Sequence, residues 1–309
     1  AIIVAGFSSS TANAALTTSP AGDNRSVYVI NDYSGDISRL DLTDESTELV
    51  CESAISSTDW ITGSAFDPAT NTVYWIKDFS TGNAAIVTVN LYSCDQSVAP
   101  IDLGGRGDTS NANIYGLTWH DGVIEILYMD GDTFYDRIRG EATLVDGVWE
   151  VTQLMDYGNE TNFSDLAYDP VSHNLYAMSY DCNVYNLENY PSAPMAAYTA
   201  AGISTDCPTL KIDDAGRVWF TSNSYGVLNS DTLSAPGVDL QSFNNGSLDF
   251  SVYCEEFFFA PTVIPAPGSN EDLAKTGTNV NLGMVFGTAG LFFAAAIAFA
   301  TRARRLNRQ

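Results

Sequence analysis

Apolar residues in this chain come in short runs, each closed by polar turn formers. VYVI at 27–30 precedes Asn31 and Asp32; VYWI at 73–76 precedes Lys77 and Asp78; ILYM at 126–129 precedes Asp130 and Asp132. LYAM at 175–178 and VWFT at 218–221 repeat the arrangement, and the five starts are 46, 53, 49 and 43 residues apart. Runs of β-branched and aromatic residues before turn formers predict strands. A second segment precedes most runs: AFDPATNT at 65–72, AYDPVSHN at 167–174, KIDDAGR at 211–217 and, more loosely, LTWHDG at 117–122. Each reads as strand, tight turn, strand, with Pro presetting φ and Asp or Asn tolerating turn dihedrals. Third strands follow at 36–42 and 85–91. No long amphipathic helical pattern appears before residue 280. Units of this length with three or four antiparallel strands predict an all-β chain, a five- or six-bladed β-propeller. Residues 248–253 and 257–259 fit either a sixth unit or a strand closing the first. The rival is a β-sandwich with irregular insertions.

One stretch breaks the pattern. Residues 280–300 carry no charge over 21 positions, and at about 1.5 Å per residue they are long enough to cross a bilayer core. Arg302, Arg304, Arg305 and Arg308 follow, and such a flank stays on the cytoplasmic side. The pattern therefore predicts a single C-terminal transmembrane helix at 280–300 and a cytoplasmic basic tail at 301–309. At the other end, 1–14 has small residues at Ala12 and Ala14 and reads as a signal-peptide remnant, with signal peptidase cutting after Ala14. Residues 15–260 form the propeller ectodomain on the outer face. Residues 261–272, with Pro261, Pro265 and Pro267, form a tether.

Leu273, Ala274, Lys275, Thr276 and Gly277 stand between tether and helix. Pentapeptide, apolar span and Arg-rich tail together resemble the LPxTG-like sorting signal of Gram-positive surface proteins, in the LAxTG form of actinobacteria. The resemblance implies a class E-like sortase as partner, cleavage between Thr276 and Gly277, and anchoring to the cell wall. Ala274 departs from the commoner Pro. The first strand pair, VYVINDYSGDISRLDL at 27–42, is similar to the YVTN repeat of bacterial and archaeal surface propellers, with Ile30 in place of Thr. That likeness implies fold and surface location, and no activity.

Charge narrows the partners. The chain has 38 acidic and 13 basic residues, a formal charge of -25. All 38 acids but only nine bases fall within 15–277, which disfavours a nucleic-acid ligand. Five cysteines lie outside the expected span, where disulfides form. Cys51 and Cys94 close the third-strand regions of the first two units, and Cys182 and Cys207 enclose a loop containing Pro191 and Pro194; these are the candidate pairs, with other pairings open. Cys254 is left over as a free, buried thiol.

Chemistry-bearing motifs are sparse. The chain has no nucleophile elbow, zinc-protease helix, P-loop or dinucleotide fingerprint. His120 and His173 occupy related turns and are the candidates for a general acid or base at one mouth of the propeller. Of the acids, 27 are Asp, and Asp130, Asp132, Asp213 and Asp214 are candidates for structural Ca²⁺, the one cofactor implied, against a plain solvated surface. With no catalytic set, the sequence favours a non-enzymatic surface protein that displays or binds an extracellular ligand. The alternatives are an extracellular propeller hydrolase or lyase with an axial pocket, and structural wall decoration.

Overall fold

Among the described residues, twenty strands follow one another in sets of four or fewer. The first set is β1 (Arg25–Ile30), β2 (Ile37–Leu40) and β3 (Thr47–Cys51). The second is β4 (Thr62–Asp67), β5 (Thr72–Lys77), β6 (Ala85–Asn90) and β7 (Gln96–Asp102). The third is β8 (Ile114–His120), β9 (Val123–Met129), β10 (Arg137–Val145) and β11 (Val148–Asp156). The fourth is β12 (Phe163–Asp169), β13 (Asn174–Ser179), β14 (Asn183–Asn186) and β15 (Ala196–Ala197). The fifth is β16 (Leu210–Ile212), β17 (Arg217–Ser222), β18 (Val227–Thr232) and β19 (Gln241–Asn244). The last strand, β20 (Glu256–Pro261), pairs antiparallel with β1, Phe259 facing Val27. Residues 257–259 thus complete the first sheet, in the order β20-β1-β2-β3.

This computed structural model describes residues 25–261 except 32–33, 43–45, 56–60, 78–83, 105–112, 130–135, 204–206, 223–226, 234–235 and 245–255. All of these lie in the first of two compact units, Ala1–Ile264 and Pro265–Gln309.

The innermost strands meet in sequence: β20 packs on β4, β4 on β8, β8 on β12 and β12 on β16. Lys211 of β16 then reaches Glu256 of β20, so the arrangement is a propeller-like ring. It corrects the expected architecture in two respects. First, the described strands form four sheets, not five or six separate blades. β4 to β11 form one eight-stranded sheet, because β7 and β11 pair in parallel at Ile101–Trp149 and Asp102–Glu150. β11 is nine residues long, and this pairing covers part of an edge that would otherwise expose unpaired backbone groups. Second, among the described residues no helix is long and apolar enough to cross a membrane. The segment 280–300 lies outside the described residues, as do 1–14, 262–272, the pentapeptide Leu273, Ala274, Lys275, Thr276 and Gly277, 301–309 and Cys254.

Local sequence sets the turns. β8 and β9 are joined by Asp121 (φ 51) and Gly122 (φ 84), and β10 and β11 by Asp146 (φ 50) and Gly147 (φ 84). Two-residue hairpins of this hand need two positive φ values, which Asp-Gly supplies at little cost. The core lies between neighbouring sets of strands: Ile30, Trp75, Val87 and Phe258 form one cluster, and Ile76, Leu117, Ile126 and Ile138 another, all at most 2% exposed. Disulfides add two covalent ties. Cys51–Cys94 links the first and second sets across 43 residues, with Cα atoms 5.4 Å apart. Cys182–Cys207 closes 25 residues, with Cα atoms 5.1 Å apart.

Candidate functional site

The turns after β4 and β12 are built alike. Asp169 accepts hydrogen bonds from the Val171 N–H through Oδ1 (2.9 Å) and from Ser172 Oγ through Oδ2 (2.6 Å), and the His173 N–H donates to the Asp169 carbonyl (2.9 Å). Asp67 does the same for the Ala69 N–H (2.8 Å) and Thr70 Oγ1 (2.8 Å). Each turn ends on a left-handed residue, Asn71 at φ 54 and His173 at φ 58. Asparagine and histidine are both among the non-glycine residues that tolerate this region.

His173 lines a cavity of about 300 Å³ at the C-terminal ends of β4, β8, β12 and β16, with Phe66, Trp119, His120, Asp121, Tyr168, Lys211 and Asp214. Tyr168 joins the two histidines. Its ring stacks on that of His120 at 4.5 Å and 17°, and its hydroxyl lies 2.8 Å from His173 Nδ1. Burial, then the Asp121 and Asp169 carboxylates, push the Tyr168 phenol above its usual range. It therefore stays protonated and donates to His173 Nδ1, which leaves the proton of a neutral His173 on Nε2. His120 has the opposite polarity. Its Nε2 lies 3.2 Å from Glu125 Oε1 and its Nδ1 3.9 Å from Asp121 Oδ2. A carboxylate accepts from Nε2–H, so the lone pair of a neutral His120 is on Nδ1. Glu125, with a side chain 8% exposed, is itself held by Arg139 Nε at 3.4 Å. The pair combines an acceptor nitrogen on one imidazole and an N–H donor on the other, bridged by one tyrosine.

Under the cavity, each innermost strand gives one residue to a polar ring. Lys211 Nζ lies 2.7 Å from Asp165 Oδ2 and 3.3 Å from Glu256 Oε2. Ser64 Oγ donates to Glu256 Oε2 (3.0 Å), and the Leu166 and Leu210 N–H groups donate to Asp165 (2.8 Å each). On β8 the ring position is Gly116, where a Cβ would collide with Asp165 Oδ1 and lie 2.9 Å from the Leu166 nitrogen. Burial drives the Asp165 carboxyl up to about 7; Lys211 opposes this, Glu256 adds to it, and the Leu210 N–H opposes it. Burial likewise raises Glu256, against Lys211, Ser64 and the Gly63 N–H. Burial favours the neutral Lys211 amine, but Asp165 and Glu256 outweigh it and hold the ammonium above its usual range. One cation between two acids leaves the ring short of positive charge, so it retains a proton towards neutral pH.

Of the residues singled out in the sequence, His120 and His173 come together at the cavity. Asp213 is committed to its own turn and core. Its carboxylate accepts from the Ala215 N–H (2.9 Å), the Arg217 N–H (3.0 Å) and Trp219 Nε1 (2.9 Å). Asp214 is exposed and lines the cavity. Asp130 and Asp132 lie outside the described residues. Among the described residues no group of three or more His, Cys, Asp or Glu side chains is placed to hold a metal ion. Cys51, Cys94, Cys182 and Cys207 form the two disulfides. Tyr168, Glu125, Asp165, Lys211 and Glu256 were not foreseen. The available signal was Lys211, a lone cation in the predicted strand segment that opens KIDDAGR at 211–217.

No family model and no curated protein matches the chain. Solved structures with a similar fold include a chain of a nidogen/laminin complex (14% identity, TM-score 0.46, covering 77% of this chain and all of that one). A gluconolactonase from Xanthomonas campestris matches at 12% identity and TM-score 0.43, covering 75% of this chain and 89% of that one. A calcium-binding regucalcin from Agrobacterium tumefaciens matches at 16% and 0.37, covering 56% and 70%. These values express a distant likeness of fold. The expected identity as a wall-anchored, sortase-processed display protein on the outer face of a membrane is corrected here. The finding that overturns it is that, among the described residues, no helix is long and apolar enough to span a bilayer.

Proposed function

We propose that the protein is a hydrolase of small esters or lactones, with its active centre in the cavity bounded by His120, Tyr168 and His173. The observation that carries the reading is the Tyr168 bridge, which holds two imidazoles with opposite free nitrogens at one cavity wall. His120 Nδ1, oriented through Nε2 by Glu125, takes a proton from water as the water attacks the substrate carbonyl. His173 Nε2–H supports the developing oxyanion by hydrogen bonding, and the protonated His120 Nδ1 returns the proton it took from water to the leaving oxygen. The Glu125–His120 pair follows the general rule that a carboxylate fixes tautomer and orientation of a basic imidazole. A volume of about 300 Å³ accommodates a small molecule. Two disulfides suit folding in an oxidising compartment.

The test is ring opening of γ-butyrolactone and δ-valerolactone, followed by a pH indicator, and release of p-nitrophenol from its acetate. Wild type should exceed the buffer rate. His120→Gln and His173→Asn should each lose roughly 100-fold or more while keeping their circular dichroism. Buffer rates with all three probes, or full activity in both variants, would defeat the proposal.

A further inference from the structure

A second cavity, of about 280 Å³, is lined by residues of the second and third sets of strands. Asp67 comes from the end of β4, Tyr74 from β5, Trp119 from near the end of β8, Leu144 from β10 and Trp149 from β11. Strand alternation explains the grouping. Ala65, Leu117, Ala142 and Trp149 belong to one core cluster, against which Tyr74 and Trp119 pack. Asp67 and Leu144 follow Ala65 and Ala142 two residues on, so they share that face. The Tyr74 and Trp149 rings meet at right angles, 6.1 Å apart. Tyr74 and Trp119 are half-buried and Leu144 is 53% exposed, so solutes reach the rings.

Three aromatic rings and one acid define what fits. Asp67 is 8% exposed. Among the described residues, no Lys, Arg or His forms an ion pair with it, and no Lys or Arg lines the cavity. Its charge is felt at the cavity wall: burial first, then the Asp67 carboxylate, raise the Tyr74 phenol above its usual range. Both Asp67 oxygens already accept hydrogen bonds, from the Ala69 N–H and the Thr70 hydroxyl. Asp67 therefore offers charge more than a free acceptor. That favours a cation without N–H donors, whose charge is spread over methyl groups and attracted by ring faces. The surplus of acids, 38 against nine bases within 15–277, draws cations towards the molecule. We infer that this cavity binds a small quaternary ammonium ion, held against Tyr74, Trp119 and Trp149 and balanced by Asp67. Trp119 also lines the His120–His173 cavity, but binding here requires no turnover there.

Isothermal titration calorimetry of the full chain, at pH 7 and constant ionic strength, provides the test. The probes are choline, its uncharged carbon analogue 3,3-dimethylbutan-1-ol, and ammonium. Choline should bind saturably, and the other two should each bind roughly tenfold or more weakly. Trp119→Leu should weaken choline roughly tenfold. Asp67→Asn, which keeps an acceptor for its turn, should bring choline to the level of the carbon analogue. No saturable heat with choline, or equal binding of the carbon analogue or of ammonium to wild type, would overturn the assignment. So would a choline affinity unchanged by either variant. Should the variants not fold, the wild-type order of the three probes decides: choline first supports the site, and any other order rejects it.

Discussion

Replacing Asp165 by Asn tests the buried ring through the pH dependence of stability. In the folded protein Asp165 titrates at about 7, against an ordinary value of 3.8. Below pH 4 the carboxyl is protonated in both states. Between about 4 and 7 the folded protein holds a proton that the unfolded chain has released, so stability falls as pH rises. Above 7 the loss is complete. At about 1.4 kcal/mol per pH unit, the interval corresponds to roughly 4 kcal/mol, to order of magnitude. The value already includes the attraction of Lys211, because Asp165 lies well above its ordinary range despite an ammonium at 2.7 Å.

Asn cannot release a proton, so Asp165→Asn should lack this loss. At pH 5, about one unit into that interval, the variant should match wild type to within about 1 kcal/mol, because the wild type's loss of about 1 to 2 kcal/mol there offsets the cost of about 1 kcal/mol for altering one of two N–H acceptors. At pH 8 it should be the more stable protein by about 3 kcal/mol, the roughly 4 above less that cost. Urea denaturation with disulfides oxidised, repeated from pH 4.5 to 8.5, gives both curves, and slopes from other titrating groups cancel in the difference. The reasoning fails if the curves run parallel across this range. It also fails if the variant loses stability relative to wild type as pH rises, because the carboxylate would then be net stabilised by Lys211.

Gly116→Ala should cost about 3 kcal/mol, since the new Cβ meets Asp165 Oδ1 and the Leu166 nitrogen; an unchanged urea midpoint would show that the ring yields. His173→Asn should change stability by no more than about 0.5 kcal/mol, because the matching turn already holds Asn71 at φ 54. A large loss on melting would give His173 a packing role. Removing Cys182–Cys207 and Cys51–Cys94 separately, by paired Ser substitutions, should cost about 3.5 and about 4 kcal/mol, from loops of 25 and 43 residues. A smaller effect for the longer loop would contradict the chain-entropy account.

Much of the strand pattern was legible because each set repeats the same physical instructions. VYVI, VYWI, LYAM and VWFT are all second strands of their sets, β1, β5, β13 and β17, with β1 counted after β20. The Asp-Pro turns were legible because Asp67 and Asp169 bond the backbone two residues on, a purely local effect. Pairing between β7 and β11 was not legible, since it depends on how two sets sit side by side. The membrane helix was read from hydropathy alone, which carries no information about the described fold. In the site, both histidines stood out by rarity. Tyr168 did not, because the matching place in the second set is Phe66 and both read as core aromatics. Asp165 and Glu256 were hidden for a similar reason: in sequence they look like two more of 38 acids, and only the ring geometry shows them to be 0% and 3% exposed.

The ring and the paired turns argue that chemistry in this fold arises where the sets differ. Ser64, Gly116, Asp165, Lys211 and Glu256 come from five innermost strands and meet around one centre, yet no two are alike. Strand pairing constrains the backbone at these positions but asks little of the side chain, so each set can supply a different group. The choices are then coupled across the ring. Asp165 requires the missing Cβ of Gly116, and two buried acids require the single cation of Lys211. The turns follow the same logic, with Asn71, His173 and Gly216 all at positive φ and only His173 able to carry a proton. A repeat that conserved its inner positions would build a symmetric and inert axis. Here the asymmetry places two tyrosine-bridged imidazoles on one wall of the cavity, above a ring whose acids are held above their usual range.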